Sequence, residues 1–299
     1  MDPNVFLPFL SSTLSFIFAL FLLDQWLERR RPYQLIWTLG MVWYGIAAGT
    51  EWIGGAFGWS EPLYKTWYLI GAYYVAAWLG LGTMYLLGKT RFGYGAAFSI
   101  LLAGLFTVLS QAKNQYPDVG ILPYAAFAVA AVGAVAIVIE TRRGTGRWAR
   151  IAGALIVGGS LVAVPIVFGA AIPAPGYALD ASGVPVGTAM PGSVRLLTPW
   201  FNVTGGFALA FGALFSLAQA VRTRRFTSRV PATILLAIGG FIPSMTSGLS
   251  RFGVTETFYV GELLGVVFLF AGTLVSVEVF REFRIPFTKR VFKVRSEAA

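Results

Sequence analysis

The chain has 299 residues, of which 57% are hydrophobic and 12% charged, with a mean hydropathy of +0.71 and a formal net charge of +10. That is too little polar surface to cover a water-soluble core, so an ordinary soluble globule is excluded and the chain belongs in a bilayer. With no cysteine and no histidine, disulfides, thiolate nucleophiles, Cys/His zinc sites, His-ligated haem and Ser-His-Asp catalysis are excluded too.

A helix needs about 20 apolar residues to cross the hydrocarbon core. Runs of that kind fall at 4–27, 33–57, 65–88, 92–111, 119–140, 149–172, 199–221, 229–249 and 256–281. They predict an all-α, polytopic transmembrane helical bundle of about nine spans, one domain over residues 1–281, with a short basic tail at 282–299. The first run has neither a basic leader nor a small-residue cleavage site, so it reads as a retained span and not a removed signal peptide. Trp26 and Trp37 fall near one membrane boundary and Trp52, Trp59 and Trp67 near the other, as an interfacial belt does. Trp43 and Trp78 lie deeper and read as core. Gly45 with Gly49, Gly54 with Gly58, and the pairs at 158–159, 205–206 and 239–240 are candidate helix seams. Pro165 and Pro243 should kink their spans.

The segment 172–199 holds five prolines and four glycines, turn chemistry in which a helix is not expected. It reads as a cap over one end of the bundle, or else as a mobile connector.

Assigning alternate loops to the cytoplasm places 19 of the 23 Lys and Arg residues on that side. The bias orients the N-terminus outside and the C-terminus inside, and the +10 then reflects topology, with no nucleic-acid partner implied. A prokaryotic cytoplasmic (inner) membrane is the expected location.

Most charged residues sit at membrane boundaries, and Asp24 and Glu28 beside Arg29, Arg30 and Arg31 read as a solvated cluster. Glu51 and Glu262 are different, each about six residues below the outer end of its span, or ~9 Å at 1.5 Å per residue. Arg251 follows the eighth run at the same side. An ionisable group inside a membrane is costly and faces protein or water, so Arg251 is the expected partner of Glu262 and Glu51. With Ser12, Ser247, Ser250 and Tyr259, these residues outline an outward-facing polar pocket for a small or amphipathic ligand. Arg251 would anchor an anionic group, with the acids as counter-charges or proton carriers. The plainer alternative is a structural clamp, its hydroxyls bonding their own backbones.

Catalysis is not expected: every lysine lies at the edge of a run or in the tail, none placed to carry retinal, no aspartate is placed for intramembrane proteolysis, and no phosphate-binding loop is present. No cofactor and no metal site is expected. The functional expectation is therefore a non-enzymatic transporter or membrane sensor, its partners being the bilayer and a small-molecule or lipid ligand. The rival is a structural or accessory subunit among membrane-protein partners.

Overall fold

A computed structural model describes residues 2–117, 119–172, 177–180, 183–223, 229–250 and 257–275, with positions 283–284, 286, 288 and 291–292 of the tail. The helices are α1 (Pro3–Arg29), α2 (Pro32–Phe57), α3 (Glu61–Trp67), α4 (Val75–Leu86), α5 (Gly93–Asn114), α6 (Leu122–Arg143), α7 (Trp148–Phe168), α8 (Gly192–Arg222), α9 (Arg229–Ser250) and α10 (Phe258–Val275). A π-helical segment, Tyr68–Tyr74, joins α3 to α4 in one rod. In the tail, Phe283–Arg284 pairs antiparallel with Val291–Phe292. Among the described residues seven rods are long and apolar enough to cross a membrane: α1, the α3–α4 rod, α5, α6, α7, α8 and α10. The molecule is thus an integral membrane helical bundle.

Boundaries follow local chemistry. Asp2 caps α1 by accepting the Asn4 N–H at 2.9 Å, and Pro3 opens the helix where its missing N–H costs nothing. Arg30 closes it in the left-handed conformation, its guanidinium 4.7 Å from the Trp26 ring. Successive rods alternate in direction. Ser12 of α1 donates to the Gly45 carbonyl of α2, and Trp37 of α2 donates to the Leu79 carbonyl of α4. One end of the bundle carries the basic turns around residues 30, 90, 145 and 222; the other carries the segment before α8.

The α3–α4 rod is the axis. In an α-helix, residues five apart diverge by about 140°, whereas the i→i+5 turn of a π-helix brings them onto one face. Tyr68 and Tyr73 accordingly both reach α8, at the Thr198 hydroxyl and the Val194 carbonyl, while Tyr74 reaches the Ser160 carbonyl of α7 at 2.7 Å. Further along, Gly80 of α4 faces Gly205 of α8. A Cβ on Gly80 would lie 2.5 Å from the Gly205 carbonyl oxygen, so the two backbones touch.

Two expectations change here. Residues 192–199 are not loop but the opening turns of α8, with Pro199 inside the helix. The tyrosine bonds to Val194 and Thr198 hold these turns helical against their local turn signals. The stretch before them is also ordered where it is described. Val186 N–H donates to Ala178 and Asp180 N–H to Val184, a hairpin in which Gly183 takes a φ of 82° that favours glycine. It rests on the rod, through Tyr64 to the Val186 carbonyl, and on α10, where Val184 packs with Phe258, Tyr259 and Leu7.

Of the glycine seams, Gly45 meets Phe16 and Gly49 meets Ser12, as expected of close helices. Gly158 faces nothing within 4 Å. Asp24 is 3% exposed, so it is a buried residue and not part of a solvated cluster. Trp43 and Trp78 pack edge-on with centroids 6.3 Å apart, filling core.

Candidate functional site

The site forms where α2 and α10 meet beneath the hairpin. Tyr44 and Glu51 are seven residues apart on α2, hence on one face, and Tyr259 and Glu262 are three apart on α10, also on one face. Tyr44 Oη donates to the Glu262 main-chain carbonyl at 2.9 Å, pinning the two helices together. This brings the Glu51 and Glu262 carboxyls within hydrogen-bonding reach of each other. Trp67, from the central rod, donates its indole N–H to Glu51 Oε1 at 2.7 Å. The Tyr259 hydroxyl lies within electrostatic reach of both acids and of Asp180 in the hairpin.

The proton count follows from this geometry. An ionised carboxylate only accepts, so a hydrogen bond between two carboxyls requires a proton on one of them. Glu51 is 1% exposed, and the Oε2 atoms of both acids are buried with no other partner. Close contact of the two carboxyls therefore requires at least one proton on the pair, and the Trp67 indole N–H serves Glu51 Oε1. Among the described residues neither acid forms an ion pair with a lysine or arginine.

Of the residues expected from sequence, Glu51, Glu262 and Tyr259 come together. Ser12 does not join them: its Oγ donates to the Gly45 carbonyl at 2.8 Å, on the α1–α2 seam. Thr13 and Ser15 likewise bond carbonyls of their own helix, as hydroxyls in helices commonly do. Arg251 and Glu256 lie outside the described residues, as do the side chains of Ser247 and Ser250. Trp67, read from sequence as part of the interfacial belt, also donates its indole N–H to Glu51. Tyr44 and Trp67 were missed, although the seven-residue spacing of Tyr44 to Glu51 is visible in the sequence.

A cavity of about 280 Å³ lies elsewhere, toward the basic end, between α1, α2, α4, α8, α9 and α10. Its floor is apolar (Phe18, Met41, Leu79, Leu209 and Leu269), and its polar groups, Thr90, Ser216, Gln219 and Thr273, stand nearer the basic end. Around the acids, among the described residues, stand the aromatic side chains of Tyr44, Trp67 and Tyr259. An apolar layer, including Phe18, Tyr44 and Val266, separates the cavity from the acid pair. The separation is about 10–15 Å along the shared helices, at ~1.5 Å per residue from Leu269 to Glu262 and from Met41 to Glu51.

Lys65, at the edge of the third apolar run, lies within α3 and is 7% exposed. It bridges Glu61 at 2.7 Å and donates to the Phe168 carbonyl at the end of α7 at 3.1 Å, a cation closing a helix C-terminus.

The chain matches no protein-family model, no curated protein and no solved structure.

Proposed function

We propose that this chain is a non-enzymatic, nine-span protein of a prokaryotic cytoplasmic membrane, N-terminus outside, which binds an amphipathic ligand and couples that binding to one proton. The observation that carries the reading is the buried Glu51–Glu262 pair, held face to face by the Tyr44 bond between α2 and α10. A carboxyl pair in a dry site exchanges a proton only when its surroundings change, which suits a carrier or sensor that alternates between two arrangements. The nine-span count adds α2 and α9 to the seven apolar rods. Enclosed between α1 and α4, α2 can carry Gln34 and Glu51 without presenting them to lipid.

In this reading the hairpin covers the outer side of the pair, and the cavity at the basic end receives ligand from the cytoplasmic side. The apolar layer between them is the barrier that movement of α2 and α10 would open. The outward-facing pocket inferred from sequence corresponds to the alternate arrangement.

The test uses purified protein in pyranine-filled liposomes, challenged with permanently charged alkyl sulfonates and quaternary ammonium amphiphiles, which carry no proton themselves. The expected result is an internal pH change that needs both protein and solute and is lost in Glu51→Gln/Glu262→Gln. An undiminished signal in that double variant, or none with any solute in the native protein, overturns the proposal.

A further inference from the structure

We infer that the cavity at the basic end is a binding site for a single-chain amphiphile with an anionic head, such as a fatty-acid carboxylate. The inference rests on the reading that this chain binds an amphipathic ligand, and it names the ligand's class and place. The carboxyl pair takes no part in it.

Shape and lining limit the ligand. A volume of about 280 Å³ suits one slender chain. The deep surface, including Phe18, Met41, Leu209 and Leu269, offers no charge and no free donor to a polar body. The hydroxyls nearer the mouth are partly occupied: Ser216 donates to Gly212 at 2.8 Å and Thr273 to Leu269 at 2.8 Å. A ligand here must therefore be apolar along its length and polar at one end.

The sign of the head comes from the mouth. Thr90 lines the cavity and stands between Lys89 and Arg91, both exposed. Gln219, also lining and exposed, is followed one turn later on α8 by the exposed Arg222. Positive charge therefore gathers at the end where the head would emerge, and an anion gains there what a quaternary ammonium loses.

Trp37 lines the cavity and supplies the readout. In detergent, 11-bromoundecanoate should quench tryptophan fluorescence saturably, and most of the quenching should vanish in Trp37→Phe. Ala213→Phe, which fills the cavity, should weaken apparent affinity about tenfold or more. The uncharged 11-bromoundecanol should bind more weakly than the carboxylate, and the matching trimethylammonium weaker still. In Lys89→Gln/Arg91→Gln/Arg222→Gln the carboxylate should fall to the level of the alcohol, with the melting temperature unchanged. Quenching that persists in Trp37→Phe, or an ammonium that binds as tightly as the carboxylate, refutes the inference. Proton movement with alkyl sulfonates but no Trp37 quenching would sink this site alone, whereas quenching without proton movement would sink only the coupling.

Discussion

Removing one carboxyl of the Glu51–Glu262 pair should destabilise the protein far more than replacing it with an amide. Glu262→Ala leaves the Glu51 carboxyl, 1% exposed, with the Trp67 indole alone. A hydrogen bond to a charged group contributes about 1.5–3 kcal/mol, and a buried group left unsatisfied costs about 1–3 kcal/mol. Neutral interhelical bonds in membranes average only about 0.6 kcal/mol, and Glu51 can take up a proton once its partner is gone. These opposing terms set the loss at roughly 2–4 kcal/mol. At ~2–4 °C per kcal/mol for a chain of this order of size, melting should fall by about 4–16 °C. Glu262→Gln keeps a donor, since its amide N–H can bond the Glu51 carboxyl, and should cost less than about 1 kcal/mol. Tryptophan-fluorescence melting of the two variants in one detergent compares them directly. A double cycle with Glu51→Gln measures the coupling, which should exceed about 0.5 kcal/mol for groups in contact. If Glu262→Ala and Glu262→Gln melt together, and the double variant is additive, the two acids are not partners and the proton count derived from them fails.

Two further predictions concern the scaffold. Gly205→Leu should prevent assembly of α8 against α4, because a side chain there meets the Ala76 carbonyl and the Ala77 backbone. Gly158→Ala, with nothing within 4 Å of its added carbon, should be neutral or slightly stabilising, and size-exclusion profiles of the expressed variants compare the two. Tyr73→Phe should lower the melting temperature by about 2–4 °C by removing the bond to the Val194 carbonyl. Tyr124→Phe, on a side chain 62% exposed, should leave melting unchanged.

The membrane class and the main helical runs were legible in the chain, because about twenty consecutive apolar residues have few other uses. So was the shared depth of Glu51 and Glu262, since position along a helix axis is a matter of counting residues. Helical periodicity also puts Tyr44 on the face of Glu51, and Tyr259 on that of Glu262. What periodicity does not carry is which face meets which helix. In water an apolar stripe marks the buried side of a helix, but in lipid the apolar residues that touch protein and those that touch acyl chains look alike. The meeting of α2 with α10, the recruitment of Trp67 and the place of the cavity were therefore decided by tertiary packing alone. The π-helical turn and the helical start of α8 were decided the same way, through tyrosine bonds to Val194 and Thr198 on a distant helix. Local preferences yield at such points because a buried backbone polar group without a partner costs more than the turn signals it overrides.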